Sequence, residues 1–478
     1  MPRSALTSST PMAGPAALPT KGDAHGKRST AYRLPAGERH CRRNCPRPAV
    51  CTTACTLSHG ESHPRSASLR AVSRQDSTCP KRQTLGQPSR SAAAPRLPSH
   101  CELWYALSMQ LYLVGGAVRD MLLGRTPIEL DFAFDGSAQE FLAAHPDAYM
   151  VGHSVHVCLW RGRECMPLHG GSPEADLRRR DLTINALALG SDGIIHLHPQ
   201  TVQDLQDRLL RPAAATSFAD DPTRVFRLAR FAALWPDWRI DAAAFAQMRA
   251  LAPTALAALP AERVARELRK ALAAPVPGRF FRVLAQGNAL TPWFAELQTA
   301  RAVPAGPARW HANSVFGHSL RLADQLAGDP LAVWMAICHD LGKINTDPTL
   351  LPHHYGHEQR GVPLALQLAQ RLRLPGVYAK AGALAAAEHM KAGIFHSLRT
   401  GTRRDLLWRV HRAGLEEPFW KLADADSGAD IRRTAQAQLQ ALLPVTLPPH
   451  WRNRGTDSAR RLRELHCQVL AALRDGEE

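Results

Sequence analysis

The sequence predicts an α+β chain in which a small mixed-sheet head precedes a long all-helical part. Three observations predict it. Residues 111–114 form a short apolar run, followed by Gly115, Gly116 and the helically spaced Val118, Met121, Leu122 and Leu123. Residues 128–134 read as a second strand. Residues 201–300 and 360–445 are rich in Ala and Leu at helical spacing.

Composition bounds the rest. Of 478 residues, 45% are hydrophobic, enough for globular cores, and at ~150 residues per domain the length suggests about three domains. No stretch approaches the ~18 consecutive apolar residues of a membrane span, which argues against an integral membrane protein. Lys and Arg number 59 against 42 Asp and Glu, a net charge of +17. The excess is uneven: residues 1–108 hold 16 basic against 5 acidic residues, and six of the ten cysteines (Cys41, Cys45, Cys51, Cys55, Cys79, Cys101). This stretch is rich in Ser, Pro, Ala and Arg and lacks sustained periodicity. Such a segment buries too little apolar surface to offset its ordering entropy. Its cysteine spacings lack the tight pairs of a zinc site, and its Arg- and Ser-rich, acid-poor character also resembles an organelle transit peptide. The favoured reading is a disordered or non-native extension, because Met109 directly precedes the first patterned strand. No hydrophobic signal-peptide core is visible, which argues against secretion. Cys158, Cys165, Cys338 and Cys467 show no pairing pattern and read as free thiols of a reducing, cytoplasmic setting.

Taken in order, the organised elements carry chemistry. A strand, a glycine turn and a helix present backbone N–H groups and a helix N-terminus to an anion, and Arg119 in the first turn adds a charged fork for phosphate. A plain tight turn is the alternative. On the next strand Glu129 and Asp131 stand two apart, so both carboxylates fall on one face; they repel, and Mg²⁺ is the natural occupant between them. In residues 174–190, Leu182, Ala186 and Leu189 predict an amphipathic helix with Arg178, Arg179 and Arg180 at its start, where the helix dipole disfavours cations unless an anion is bound. In residues 220–235, Asp220 and Pro222 suit a helix start, and Asp221, Arg224, Arg227 and Arg230 recur every three residues beside a buried side of Val225, Leu228, Phe231 and Ala232. Solvated charge is the plain alternative in both segments.

In this order, LVGGAVRD at 113–120, ELD at 129–131, RRDLTINALA at 179–188 and DDPTRVFRLARF at 220–231 resemble bacterial CCA tRNA nucleotidyltransferases, the class shared with bacterial poly(A) polymerases. The resemblance covers roughly 109–470. It implies that Gly115 and Gly116 hold the triphosphate with Arg119 beside it, and that Glu129 and Asp131 bind Mg²⁺. The family has two aspartates there, so Glu129 is a departure; Glu164 is the candidate for a further carboxylate. Arg180, Arg227 and Arg230 match nucleotide-binding arginines. Asp221 and Arg224 match the pair that serves as template for the incoming base. A carboxylate accepts from the exocyclic amine of C or A, whereas U and G present a carbonyl there. Each unpaired buried group costs ~1–3 kcal/mol, about tenfold to hundredfold discrimination. The Arg-containing strand and flexible loop of the family, used in switching from C to A, are reduced here to MPLHGGSP at 166–173.

A second region follows. An apolar helix over 331–338 leads into His339-Asp340, with His318 upstream, Lys343 after it, and His353, His354 and His357 beyond. Such a set ligates a divalent metal. HDLGK resembles the HD-type phosphohydrolases of the multifunctional relatives, which implies a cyclic phosphodiesterase and phosphatase activity. His318, His339, Asp340 and Asp426 are the implied ligands of a second divalent ion, nickel or another transition metal; His389 is carried over alone from a later family pair. The expected layout is an extension (1–108), a nucleotidyltransferase head (109–200), a helical neck and body (201–300), an HD-type domain (301–445) and a helical tail (446–478). Arg269, Lys270, Arg279 and Arg282 suggest a phosphate-contacting strip, with solvated helix charges as the equal alternative. The expected partners are the tRNA 3′ end, CTP and ATP, with no membrane, in a monomer or dimer. The rival readings are a poly(A) polymerase of the same class and a non-catalytic RNA-binding protein with a decayed head.

Overall fold

The computed structural model describes residues 31–33, 109–151, 157–307 and 313–475. Its head is one eight-stranded sheet. In chain order the strands are β1 (Ala31–Arg33), β2 (Leu111–Val114), β3 (Asp131–Phe134), β4 (Tyr149–Val151), β5 (Val157–Trp160), β6 (Arg163–Pro167), β7 (Leu187–Gly190) and β8 (Ile194–Leu197). They lie in the order β1-β8-β7-β2-β3-β6-β5-β4. The β3/β6 pairing is parallel and the others are antiparallel, so the sheet is mixed as the sequence predicts.

Side-chain alternation divides the sheet into two cores. Leu111, Leu113, Phe132, Phe134 and Cys165 face one way, against Ala117 and Val118 of the helix Gly116–Leu122 and Phe141 of the helix Ala138–Ala144. Tyr112, Val114, Ala133 and Ala188 face the other, against Leu177 of the helix Pro173–Leu177. Asp131 has the parity of Ala133 and so belongs to this second face.

The helical part is one continuous body whose apolar core runs from Leu182 to Leu470. It includes Arg224–Leu234, Ala261–Leu272, Pro330–Cys338, His357–Arg371, Gly376–Gly393, Glu416–Ser427 and the tail helix Thr456–Asp475. Trp334, Phe226, Phe280 and Trp420 are fully buried in it. Among the described residues no helix is long and apolar enough to cross a membrane.

Two expectations about secondary structure are corrected. Residues 174–190 are not one helix: Pro173–Leu177 ends early, Thr183–Asn185 is a single 3-10 turn, and Leu187–Gly190 is a strand between β2 and β8. Leu182, Ile184, Ala186, Leu187 and Ala188 are all buried, so the apolar residues surround the chain instead of marking one helical face. The helix expected to open at Asp220 and Pro222 begins at Arg224; Asp220 closes the separate short helix Ser217–Asp220. Within 1–108, Ala31–Arg33 forms an edge strand, with Ala31 opposite His196 and Arg33 opposite Ile194. The remaining expectations for that segment, its six cysteines included, lie outside the described residues.

Gly342 shows how closely the second region is packed. A β-carbon there would stand 1.9 Å from the His357 carbonyl oxygen and 2.5 Å from the Gly361 nitrogen, both main chain. Only glycine lets the turn after Asp340 touch the helix His357–Arg371. Gly342→Ala is therefore expected to cost about 1–3 kcal/mol of stability, read as a lowered denaturation midpoint. Gly376→Ala, where nothing lies within 4 Å, is the control.

Candidate functional site

The first site forms where β2 turns into its helix. Gly115 takes φ 69°, a left-handed conformation that favours glycine, and donates its N–H to the Leu187 carbonyl at 2.9 Å. A side chain at 115 would meet Arg180 Nη1 at 3.6 Å, so Arg180 leans over the turn. Arg119 does not stand open beside it. Its side chain is buried, donates to Asp120 Oδ1 at 2.9 and 2.8 Å and to Asn185 Oδ1, and stacks 4.7 Å from the Trp235 ring. It braces the turn from behind instead of offering a free fork.

Asp131 is the half-buried acid of this site. Burial raises its carboxyl pKa above the ordinary value, and the carboxylates of Glu164 and then Glu129 raise it further; Arg180 and Arg227 oppose them. The β3/β6 register pairs Phe132 with Cys165, which sets Glu164 beside Asp131. Glu129 is not on the strand, contrary to the sequence reading. β2 ends at Val114, opposite Asp131, because at Gly115 the chain turns away, so among the described residues the ladder does not extend to Leu130 or Glu129. Glu129 lies in the preceding bend, largely exposed, 3.3 Å from Lys270 Nζ. Three carboxylates thus act on one locus, and the like-charge cost at Asp131 is the kind a divalent cation removes.

A buried carboxylate ties this site together. Asp181 accepts from the Leu182 N–H at 2.8 Å, from Asn185 Nδ2 at 3.1 Å and from Arg227 Nε at 2.8 Å. Burial works against its charge, but Arg227 outweighs that and holds it far below the carboxylate range. Glu267, buried on the helix Ala261–Leu272, takes Arg230 at 2.5 Å and lies 3.9 Å from Arg227. Arg227 and Arg230 are therefore placed by acids from two other segments. Asp221 and Arg224 flank the foot of the helix Arg224–Leu234, where the Arg224 N–H donates to the Asp221 carbonyl at 3.0 Å. Asp221 accepts from the Thr223 N–H at 3.1 Å and pairs with Arg263 at 2.7 Å. Arg224 donates to the carbonyls of Ser217 and Arg179 at 3.0 and 2.5 Å. Sequence reasoning missed Asp181, Asn185, Arg263 and Glu267. The first two stand inside the RRDLTINA segment; the signal for the others is the four-residue spacing of 263 and 267 on a strongly amphipathic helix.

The basic strip divides. Arg269 and Lys270, with Arg266 and Arg373, line a cleft of about 730 Å³. Arg279 instead donates to the carbonyls of Trp235 and Trp238 at 3.0 and 2.5 Å, and Arg282 pairs with Asp324 at 2.6 Å.

The second site is a buried histidine–aspartate cluster. His318, His339 and Asp426 lie together in one group, and Asp340 lies against them and in a second group with His357 and His389. His318 Nε2 stands 3.0 Å from Asp426 and 3.8 Å from Asp340. Burial disfavours charge on His339, but Asp340 and Asp426 raise its pKa; burial likewise opposes Asp340, which His339 and Lys343 hold well below the usual range. Against burial, His318 and His339 bring Asp426 to about 2. Both Asp340 oxygens are buried without a well-formed hydrogen bond. Oδ2 pairs with Lys343 at 2.8 Å, and imidazoles surrounding a buried carboxylate fit a transition-metal ion.

A mixed-sheet head with an acidic locus beside a glycine turn, set on a helical body, is the poly(A) polymerase head architecture. The family model "Poly A polymerase head domain" matches residues 111–158, and "Probable RNA and SrmB-binding site of polymerase A" matches 237–301. The multifunctional CCA protein of Nitrosococcus oceani is 37% identical over 360 residues, 69% of this chain and 88% of that protein. That of Alkalilimnicola ehrlichii is 36% identical over 364 residues, 70% of this chain and 87% of that protein. The chain belongs to the multifunctional CCA protein family. Two solved structures share the fold. The Bacillus stearothermophilus CCA-adding enzyme in complex with CTP has a TM-score of 0.54 at 22% identity, covering 80% of this chain and 94% of that one. The Thermotoga maritima CCA-adding enzyme complexed with tRNA has a TM-score of 0.52 at 18% identity, covering 76% and 92%.

The Asp181–Arg227 pair has a measurable consequence. Asp181 lies below its ordinary 3.8, so its contribution is complete above about pH 4 and is lost as the pH falls. Arg227 is 38% exposed and partly screened. Asp181→Asn is therefore expected to cost about 2–3 kcal/mol, between surface and buried pairs, and to flatten the acid limb of stability. Denaturation midpoints across that range check both.

Proposed function

We propose that this protein adds or repairs the 3′-terminal CCA of tRNA from CTP and ATP without a nucleic-acid template. The observation that carries it is the convergence of Asp131, Glu164, Glu129, Arg180 and Arg227 beside the Gly115 turn, in a member of the multifunctional CCA protein family. The names of its relatives and the CTP and tRNA of the two fold neighbours point to the same substrates.

In this reading Gly115 and Gly116 admit the triphosphate, and Arg180, Arg227 and Arg230 offset its charge. Asp131 would hold magnesium, flanked by Glu164 and Glu129. When bound, magnesium supplies positive charge that lowers the pKa of the tRNA 3′-hydroxyl and stabilises the departing pyrophosphate. The 3′-oxygen forms a bond to the α-phosphorus as the bond to pyrophosphate breaks, and the hydroxyl proton leaves to solvent. The chain's own part is to align the two reactants and hold fixed charges around the reacting phosphate. Arg119 acts as a positioning residue, through Asn185. Asp221 and Arg224 read the base, exchanging their present partners, Arg263 and main-chain carbonyls, for its edge. The neck and body at 201–300 and the cleft of Arg266, Arg269 and Lys270 seat the RNA backbone.

The buried cluster supports a second reading for the same chain. We infer that 301–445 is an HD-type phosphohydrolase region acting on terminal or 2′,3′-cyclic phosphates, with a divalent transition metal on His318, His339, Asp340 and Asp426.

Purified protein with labelled CTP, ATP and tRNA lacking its terminus tests the first reading. Incorporation of C, C and A is expected. No incorporation with Mg²⁺ overturns it, and untemplated poly(A) on arbitrary RNA favours the polymerase. Asp131→Asn should lose at least about 100-fold in rate, and Glu164→Gln more than Glu129→Gln. Asp221→Ala should admit U and G by about tenfold to hundredfold. Phosphate release from a 2′,3′-cyclic nucleotide, lost in His339→Ala, checks the hydrolase.

A further inference from the structure

A groove of about 700 Å³ opens between the helix Gly376–Gly393 and the helix Thr400–Ala413. Lys380, Arg404, Arg409 and Arg412 line it with a single acid, Asp405. Helical spacing puts them there. Residues 404, 408 and 412 stand four apart and form one stripe; Lys380, Ala383 and Ala387 form the facing one. The alanines keep the floor low, and the long cationic side chains rise beside it.

Most of this charge is unpaired. Lys380 and Arg412 are exposed and have no hydrogen bond or ion pair among the described residues. Asp405 accepts from Arg404 Nη1 at 3.2 Å, but Arg463 of the tail helix takes both of its oxygens, at 2.9 and 2.8 Å. The acid therefore cancels little of the charge in the groove. Arg409 is matched by Glu388.

One cation and one ring are built into the wall. Arg404 is only 9% exposed. Its Nε donates to His466 Nδ1 at 3.1 Å, and its guanidinium lies 5.2 Å from the centre of the Trp408 ring. The buried His466 ring packs 4.8 Å from the same indole. Trp408 is thus fixed in place, half-buried, with its remaining surface on the groove. Arg404 Nη2 and the Trp408 indole N–H have no acceptor among the described residues. A ring and a cation held in advance do not have to be ordered when a ligand binds.

Fixed cations beside an accessible aromatic ring suit unpaired nucleic acid, whose phosphates follow the cations while a base stacks on the ring. An acidic peptide would use the cations and leave the ring unmatched. A free nucleotide would use the ring and one end of the row. The cations extend over about 12 Å of helix from Arg404 to Arg412, and across to a second helix, a span that suits successive phosphates of a strand.

We propose that this groove is a second RNA-binding surface, taking an unpaired segment of the tRNA with one base on Trp408 and the flanking phosphates on Lys380, Arg404 and Arg412. It shares no lining residue with the cleft of Arg266, Arg269 and Lys270. That the RNA is tRNA rests on the proposed CCA addition; the affinity of the groove for unpaired RNA does not.

The test uses the full chain and fluorescently labelled tRNA lacking its terminus. Binding is read by anisotropy over a salt series, separately from incorporation. Lys380→Glu combined with Arg412→Glu is expected to weaken binding at least about tenfold and to lower the salt slope by about two. Both side chains are exposed, so the fold is kept. Trp408→Ala is expected to lose about fivefold to 100-fold with the salt slope unchanged, and Trp408→Phe to recover most of that loss. Under ultraviolet light the wild type is expected to carry a nucleotide adduct within 404–412, a readout that needs no variant. Unchanged tRNA affinity in the charge-reversed and Trp408→Ala proteins overturns the proposal. So does an adduct that forms with free CTP or ATP but not with tRNA, which marks a mononucleotide site. Normal incorporation with unchanged affinity in the variants sinks the groove alone. RNA bound through Trp408 by a wild type that incorporates nothing leaves the groove standing and sinks the CCA-adding reading.

Discussion

The ion pair between Asp181 and Arg227 is the contact on which the head site depends. Asp181 is one of the few fully enclosed acids of the head, and its oxygens are shared among a main-chain N–H, the Asn185 amide and a guanidinium. Asn185 in turn accepts from Arg119, which stacks on Trp235. Three sequence segments with no local reason to approach are thereby locked: the glycine turn, the RRDLTINA segment and the helix Arg224–Leu234. A buried charge must be paired where it sits. That requirement fixes the direction in which Arg227 projects, and with it one of the two cations that face Asp131.

The second site is arranged by the opposite means. There acids and imidazoles are gathered in one buried cluster, and close main-chain packing forces the approach. Gly342 and Gly361 allow the turn after Asp340 to touch the helix carrying His357, and the helix Gly376–Gly393 brings His389 against both. In the head, an internal charge network completes itself. In the cluster, Lys343 pairs with one Asp340 oxygen and the other has no hydrogen bond. The first pattern leaves its acids paired within the chain; the second leaves Asp340 Oδ1 without a hydrogen bond among imidazoles.

The elements with one dominant local signal were legible in the sequence. The strand at Leu111–Val114, its glycine turn and the apolar helix before His339 all stand where hydrophobic period and glycine placement put them. So does the buried side of Arg224–Leu234. What failed were positions decided by partners far away in the chain. Residues 182–189 read as a helix because apolar residues were counted by period; they are buried on all sides, and a period does not separate a covered strand from a helix. Glu129 and Asp131 looked like alternate positions of one strand, but a strand extends only as far as its neighbour pairs with it, and β2 ends at Val114. Glu164 gained weight through the parallel β3/β6 register, which no local pattern announces. His357 and His389 are 32 residues apart, and only the packing of two helices shows that they share Asp340.

The helix Ala261–Leu272 relates the two sites physically. Its Glu267 receives Arg230, its Arg263 holds Asp221, and its Lys270 reaches Glu129 of the head. The same helix packs on Pro330–Cys338, whose C-terminal end delivers His339. Both chemistries therefore hang from one continuous apolar core, and interiors packed this densely do not deform gradually. Arg266 and Arg269, without ion-pair partners among the described residues, lie on this helix beside the cleft shared with Arg373 and Tyr378. Unspent positive charge along that stretch suits the phosphate backbone of the proposed RNA substrate.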